Sequence, residues 1–570
     1  MFQPLPPRPR APSRLVGALG AVGVVALLLS LRAAEQSPDA LDYALAARSG
    51  VGLFHPHHLL FSPLVRGVLA LLAPFGRGGD AVLAGQLHNV AWAVAALWAL
   101  RALVRGATGS ARLADGAALG LLFTRGFWVY ATQVEVYLPA LGCLALATWL
   151  VARDGSGRPG PGVMLAAGLL FGLAVLYHQT SVLYVAPLAV FCVAARGRAG
   201  WRVAGTITAL AGALALIAYV GAWLASGGGR TGPGFARWTL GYALEPVPAW
   251  GSFAHVGATG IGALLRSQAA NVAGVPDRFV PVVVPLFGVG LLGLAGWHVG
   301  ALGRGAGARP LRLGALAWLA VHLAFFLWWL PTDTDFFVVS LLPLAILVAL
   351  AAADLAELLT APGRLALGVG GAVALAVLAA GNLLATVAPL RASRGPDYAV
   401  AARLAAAAPP GCVIGTRFGV HENLRYHFDR AAIDLDLPLL NARAGRDPAA
   451  DGPAGGDRLL APIALLRPDH EVGGLDAGHA PDRWFAWLCW VAGATPGADG
   501  APVACRDVAR LDGDLALFGP ARVAVDGASG LAVLLDARLA PDGSAPWSAW
   551  LRASGATGNL PAPVNGGGPP

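Results

Sequence analysis

The chain has 570 residues, of which 56% are hydrophobic and only 13% charged, and its mean hydropathy is +0.63. Soluble domains carry about a quarter charged residues, so this composition excludes an ordinary soluble protein and indicates one embedded in a membrane. The formal charge of +8 does not indicate nucleic-acid binding, because the basic residues are all arginines in short clusters between apolar runs. Positive charge is typical of the cytoplasmic loops of membrane proteins.

A helix needs about 17–25 predominantly apolar residues to cross a bilayer. The sequence predicts eleven such helices, over residues 14–32, 82–103, 113–130, 137–152, 162–177, 180–195, 201–225, 279–303, 312–330, 337–360 and 365–388. The segment 59–76 is apolar too, but Pro63, Arg66 and Pro74 interrupt it. We predict that it is an interfacial or re-entrant helix on the outer face and does not cross.

The distribution of arginine supports that interpretation. With residues 59–76 not crossing, the basic N-terminus shares one side with every arginine-rich loop, around residues 101–112, 153–158, 196–202, 304–312 and 364. The opposite connections, near 131–137, 178–180 and 331–336, contain no arginine. Since positive loops stay in the cytoplasm, we predict a cytoplasmic N-terminus in a bacterial inner membrane. Residues 1–34 also fit a cleaved signal peptide, and either way residues 35–58 emerge outside.

The pattern changes after about residue 390, where polar and apolar residues mix and no further run could span a bilayer. We therefore predict an all-α polytopic membrane domain over residues 1–389. A small extracytoplasmic α/β or α+β domain follows over 390–570, ending in a disordered tail. Cys489 and Cys505 could form a disulfide in that domain, with Cys412 left over.

Ionisable residues gather in the predicted outer connections. The first one, SPDALDYALAARSGVGLFHPHHLLFSP, holds two carboxylates and three histidines, and later turns add further groups. The full set is Asp39, Asp42, His55, His57, His58, Glu135, His178, Asp333 and Asp335. Ionisable groups at the edge of a bilayer are costly and usually have a partner or a function, so we predict a site at the outer membrane–water boundary.

The location restricts the chemistry. Nucleotides are absent outside a bacterial cytoplasmic membrane, so an activated sugar donor there must be carried by a lipid such as polyprenyl phosphate. Transfer of the sugar to a hydroxyl needs a carboxylate that accepts the proton. It also needs cationic or hydrogen-bonding groups that stabilise the leaving phosphate.

The same stretches resemble a known family. SPDALDYALAA…FHPHHLLFSP is similar to the first outer loop of GT-C superfamily glycosyltransferases, in the bacterial branch close to protein O-mannosyltransferases. FWVYATQVEVYLPAL, GLAVLYHQTSVLYVAPL and PTDTDFFVVSLLPL resemble later segments of that branch, in the same order. Where the branch has Pro-Gly-Tyr-Pro after His-Pro, this chain has His57-His58-Leu-Leu-Phe. The resemblance covers residues 14–360 and leaves the C-terminal domain out.

The resemblance implies an inverting glycosyltransferase in which Asp39 is the catalytic base and Asp42 a second or supporting acid. We predict that the donor phosphate or the acceptor is bound by His55, His57, His58, Arg66, Glu135, His178 and Asp335. Arg125 is a further candidate for the phosphate. The expected partners are a polyprenyl-phosphate sugar, membrane lipids, and a protein, lipid or glycan acceptor. We expect no nucleic acid and no cofactor, although a divalent metal at the histidines is an unsupported alternative.

Structural alternatives exist for each of these residues. Ser37 and Pro38 are typical of a helix N-cap and first position, so Asp39 and Asp42 could simply solvate a surface helix. Glu135 suits a helix N-terminus without any function, and the histidines could satisfy loop backbone. Asp333 and Asp335 could be solvated loop residues, and Arg66 and Arg125 could extend to the membrane interface without binding phosphate. A transporter or flippase is the alternative function, but it predicts mid-membrane charges and internal repeats, which the sequence lacks.

Overall fold

The computed structural model describes most of the chain up to residue 434 and three short segments beyond it. The described residues are 14–434 except 155–156, 158, 227–233, 245–250, 304–306, 408–412, 417 and 431, together with 483–487, 522–526 and 530–538. Cys412, Cys489, Cys505 and the predicted C-terminal tail lie outside these residues. The chain forms two compact units, one of Met1–Gln36 and Leu53–Ser393, the other of Ser37–Gly52 and Arg394–Pro570. The division into a membrane domain over residues 1–389 and an extracytoplasmic domain over residues 390–570 remains a prediction.

The described part of the first unit is helical. Its helices are α1 (Arg14–Ser30), α3 (Phe61–Leu72), α4 (Ala81–Thr108), α5 (Ala111–Leu122), α6 (Arg125–Thr132), α7 (Tyr137–Arg153), α8 (Pro161–Tyr177), α9 (Val185–Arg196), α10 (Ala199–Ala225), α11 (Phe235–Leu244), α12 (Ala258–Val272), α13 (Val280–Gly300), α14 (Arg309–Trp329), α15 (Leu341–Leu358), α16 (Ala361–Asn382) and α17 (Ala388–Ala392). A π-helical turn, Leu383–Val387, joins the last two.

A helical polytopic membrane domain is confirmed, but the number of long helices is smaller than predicted. Among the described residues, seven helices are long and apolar enough to cross a membrane, or eight if α6 and α7 count as one span bent by 113°. The other predicted spans are short or broken. Helices α1 and α8 have 17 residues each, and the predicted span 113–130 is divided between α5 and α6. Composition identifies apolar residues but not the points at which the backbone turns.

Helix α3 has 12 residues, which is too short to cross a bilayer since a span needs about 20. Phe61, Val65 and Leu69 lie on one face of it and are buried, whereas Leu64 and Leu71 are exposed. This spacing of four residues is that of an amphipathic helix. The geometry fits the prediction for residues 59–76, and the orientation of the helix on the outer face stays a prediction.

Close helix packing in the first unit depends on small residues. On α8, Gly168 and Gly172 are separated by one turn and face α10. Side chains at these positions would meet the backbone carbonyls of Ile207 and Ala211 at 3.2 and 3.1 Å. Such a small-residue pair lets two membrane helices approach closely without a gap.

The described part of the second unit combines helices with a mixed sheet. Its helices are α2 (Pro38–Ser49), α18 (Gly395–Ala407) and α19 (Val420–Phe428), and its strands are β1 (Val413–Thr416), β2 (Ala432–Asp434), β3 (Arg483–Trp487), β4 (Arg522–Asp526) and β5 (Gly530–Arg538). The strand order is β2-β1-β3-β5-β4. Strand β1 runs parallel to both β2 and β3, whereas β5 runs antiparallel to β3 and β4.

Candidate functional site

The turn between α6 and α7 is held by a polar side chain inside an apolar span. Asn89 of α4 is fully buried, and its Nδ2 donates hydrogen bonds to the carbonyls of Tyr130, Gln133 and Glu135 at 3.1, 2.9 and 2.7 Å. These carbonyls lie at the end of one helix and the start of the next, where backbone groups lack helical partners. Asn89 therefore permits the sharp bend and places Glu135, which is itself 1% exposed.

A second amide extends this support. Gln86 lies one turn before Asn89, and its Nε2 donates to the carbonyls of Ala33 and Thr132, both at 2.8 Å. The preceding residue must be small, because a Cβ at Gly85 would overlap the side chain of Val134 in the turn. The turn is thus fixed by hydrogen bonds and by close packing together.

Four predicted histidines lie close together at this end of the first unit. The His55 ring centroid is 5.2 Å from that of His57 and 5.5 Å from that of His58. His58 in turn is 5.0 Å from His178, which follows α8. The structure therefore brings together residues that are about 120 positions apart in the sequence.

His178 is neutral in this arrangement. The backbone N–H of Thr180 donates a hydrogen bond to Nδ1 of His178 at 3.3 Å, so that nitrogen must carry a lone pair. Burial, with a smaller effect from His322, lowers the pKa of His178. Burial also lowers the pKa of His58, and the neighbouring histidines lower it further. Neutral imidazoles are suited to hydrogen bonding with a substrate and contribute no fixed positive charge.

Aromatic residues connect the histidines to the acidic turn, which contains Asp333 and Asp335. The centroid of the Tyr137 ring lies 4.9 Å from that of the His178 ring and 5.6 Å from that of the Tyr130 ring. The Tyr130 hydroxyl donates a hydrogen bond to Oδ1 of Asp335. We call His57, His58, His178, Tyr137, Tyr130 and Asp335 the histidine–tyrosine cluster. It joins loops that the sequence predicted to lie outside the membrane and to share one site.

The acidic turn is organised around its own backbone. The Asp335 N–H donates to Oδ1 of Asp333 at 3.0 Å, and the Thr334 hydroxyl donates to Oδ1 of Asp335 at 3.3 Å. Burial raises the pKa of Asp333, and the charge of Asp335 raises it further.

A cavity of about 950 Å³ adjoins the same turn. It is lined by polar and charged residues, which include Arg125, Arg266, Thr334 and Thr386, and by apolar residues, which include Val280 and Val284. We call this space the arginine cavity. Arg125 is partly buried, and within the described residues it has one hydrogen bond, a long one of 3.5 Å to the Ala270 carbonyl.

Two buried asparagines fix the walls of the cavity. Asn271 of α12 donates to the Thr334 carbonyl at 2.5 Å. Asn382 donates to the Phe123 and Val272 carbonyls and accepts from the Gly274 N–H, at 2.8 to 3.0 Å. The π-helical turn starts directly after Asn382 and carries Thr386 into the wall. Such turns are frequent at functional sites.

Three further predicted site residues belong to α3 and α2. Arg66 is exposed on α3. Asp39 and Asp42 belong to the second unit, where α2 begins as the sequence predicted, with Ser37 as N-cap and Pro38 in the first turn. Asp39 is exposed in that first turn, and Asp42 forms an ion pair with Arg425 at 3.6 Å.

Several residues that shape the site were missed from the sequence. Gln86 and Asn89 were detectable, because amides inside an otherwise apolar span usually have a structural or functional partner. Arg266 and Asn271 lie on α12, which was not predicted. Nothing in the local sequence indicates that they lie near Arg125. Among the described residues, no group of three or more His, Cys, Asp or Glu side chains could hold a metal ion.

Known structures share this architecture. The structure of ArnT from Cupriavidus metallidurans bound to undecaprenyl phosphate is similar over 91% of this chain and 97% of its own, with 15% identity and a TM-score of 0.54. The Archaeoglobus fulgidus oligosaccharyltransferase in its apo form is similar over 75% of this chain and 66% of its own, with 13% identity and a TM-score of 0.51. No family model and no curated protein matches the sequence. The chain thus shares the fold of these two structures, and this agrees with the fold that the sequence resemblance predicted.

Proposed function

We propose that this protein is a membrane-integral glycosyltransferase that moves a sugar from a polyprenyl-phosphate donor to a hydroxyl acceptor. The observation that carries the proposal is the arginine cavity, which combines cationic and hydroxyl groups with an apolar wall. Cationic and hydroxyl groups can bind a phosphate, and apolar residues can contact a polyprenyl chain. The binding of undecaprenyl phosphate by the structurally similar ArnT supports the same class of donor.

Arg125 is the proposed phosphate ligand. It is partly buried, it lines the cavity, and its hydrogen bond to Ala270 is long enough to be exchanged for a shorter, charge-assisted one. Arg266 is less suited, because it already pairs with Asp277 at 2.9 Å and is largely exposed. The histidine–tyrosine cluster adjoins the same acidic turn, so its neutral rings are proposed to contact the sugar.

In the proposed reaction, an acceptor oxygen attacks the anomeric carbon and the bond between that carbon and the phosphate oxygen breaks. The acceptor proton passes to a carboxylate, and polyprenyl phosphate leaves with the bonding electrons. The sequence resemblance supports Asp39 as that carboxylate, and Asp39 lies in the first turn of α2. We propose that the reaction takes place at the outer face of a bacterial cytoplasmic membrane, with the N-terminus inside and the C-terminal unit outside. The acceptor is a protein, a lipid or a glycan.

The experiment uses the full chain in lipid nanodiscs and undecaprenyl-phosphate-linked mannose or glucose, with water as surrogate acceptor. Release of undecaprenyl phosphate and free sugar is followed by mass spectrometry. We expect Asp39→Asn to abolish release and Arg125→Ala to weaken the apparent affinity for the donor, while Asp115→Asn and Arg101→Ala, at a surface ion pair, have no effect. Unchanged release by Asp39→Asn would refute the catalytic assignment. Movement of intact donor across the membrane without cleavage would favour a flippase.

A further inference from the structure

Helix α2 belongs to the second unit, although it lies in the sequence between two stretches of the first. Within that unit, α2 packs against α19. We propose that α19 positions the helix that carries Asp39, and that Asp42 serves this positioning through Arg425 and does not act on the substrate. The inference rests on the proposed function, because it concerns the same proposed base.

The first contact lies at the start of both helices. Gly419, the N-cap of α19, has a φ of +92°, a conformation that favours glycine. A Cβ at this position would lie 3.5 Å from Pro38 and would overlap the Asp397 carboxylate. The Glu422 side chain accepts a hydrogen bond from the Gly419 N–H at 2.7 Å. The capped start of α19 therefore lies next to Pro38, the residue that precedes Asp39.

The second and third contacts lie further along α2. Arg425 approaches Asp42 with its Nη1 atom 3.6 Å from Oδ1. At the end of α2, Arg48 donates a hydrogen bond to the Tyr426 carbonyl at 3.0 Å. The Arg48 guanidinium also lies 4.5 Å from the centre of the Tyr426 ring, as in a cation–π contact. Helix α2 is therefore held at its start, its middle and its end.

These three points fix both the rotation of α2 and its position along its axis, and hence the direction of Asp39. Asp39 and Asp42 are three residues apart, so a rotation about the helix axis moves them together. The Asp42 side chain is 52% exposed, and ion pairs as exposed as this one contribute little to stability. The ion pair between Asp42 and Arg425 instead serves to select one orientation of α2, which the apolar contacts alone would define less well.

The test measures donor cleavage by the full chain in nanodiscs, again with undecaprenyl-phosphate mannose or glucose and water. We expect Arg425→Ala to lower kcat about tenfold or more, because small misplacements of a catalytic group are costly. KM for the donor stays within about twofold, and the melting temperature changes little. The charge swap Asp42→Arg with Arg425→Asp should recover much of the kcat that either single change loses. Arg394→Ala is the control, since Arg394 contacts Tyr398 of α18 instead of α2.

Hydrogen exchange of the α2 amides provides a readout that does not depend on turnover. Residues 40–49 should exchange faster in Arg425→Ala and in Gly419→Ala than in wild type or Arg394→Ala. Unchanged kcat or unchanged exchange in Arg425→Ala would overturn the inference while leaving the proposed function standing. A charge swap as inactive as Asp42→Arg alone would show that Asp42 acts on the substrate. A wild-type protein that cleaves neither donor would overturn both proposals, whatever the exchange data show.

Discussion

Replacement of Asn89 tests how the first unit holds its sharpest bend. The Asn89 amide provides two N–H hydrogens to three buried carbonyls of the turn between α6 and α7. Its own oxygen has no hydrogen-bond partner among the described residues. The side chain thus acts through its donors alone. A buried carbonyl left without a donor costs about 1–3 kcal/mol.

Loss of the two donors should therefore lower the free energy of unfolding by about 2–6 kcal/mol. We compare Asn89→Ala, which also removes volume, with Asn89→Asp, which keeps the volume and replaces the donors by oxygen. Even when protonated, an aspartic acid side chain has a single donor for three carbonyls. We expect both variants to be destabilised in SDS-induced or thermal unfolding in mild detergent, with Asn89→Asp affected at least as strongly. A near-neutral Asn89→Asp beside a strongly destabilised Asn89→Ala would show that packing, and not hydrogen bonding, maintains the bend.

Three further predictions concern stability. Because burial lowers the pKa of His178 to about 3, the unfolded chain takes up a proton below about pH 6.5 while the folded protein does not. As the pH falls from about 6.5 to about 3, the free energy of unfolding of the wild type should decrease relative to that of His178→Asn by about 1.4 kcal/mol per pH unit. Above pH 7 the difference between the two proteins in thermal unfolding should stay constant. Arg312→Met should destabilise by about 3–5 kcal/mol, because the Asp354 carboxylate, paired with Arg312 at 2.8 Å, is then left buried without that partner. Adding Asp354→Leu should recover part of this loss in the same unfolding assay, and no recovery would contradict the explanation. Gly85→Ala should destabilise by about 1–3 kcal/mol through overlap with Val134, and Val134→Ala in the same chain should restore part of that stability; an unaffected Gly85→Ala would show that the turn has room to move.

The sequence predicted those features that depend on local composition. Apolar runs identified the helices that are long enough to span a membrane, and Ser37 and Pro38 identified the start of α2. The number of long helices was overestimated, because the break between α5 and α6 falls inside an apolar run. That break becomes visible only in the structure, where Asn382 donates a hydrogen bond to the Phe123 carbonyl at the end of α5.

The candidate site was predicted in part. The loops that were predicted to lie outside contain His58, His178 and Asp335, which the structure links through ring contacts and Tyr130. The arginine cavity could not have been predicted in the same way. Arg125, Arg266 and Thr386 are separated by more than a hundred residues from one another, and only tertiary packing places them around one space. No local pattern encodes that convergence.

Photo-crosslinking can establish whether the arginine cavity holds the phosphate of a polyprenyl lipid. A photoreactive undecaprenyl phosphate analogue is added to the full chain in nanodiscs, and the labelled peptides are identified by mass spectrometry. We predict that the labelled peptides lie within residues 262–284 or 385–390, and that an excess of unlabelled undecaprenyl phosphate prevents their labelling. Arg125→Ala should reduce this labelling, whereas Arg101→Ala should leave it unchanged. Labelling confined to other segments, or equal labelling of the two variants, would contradict the account.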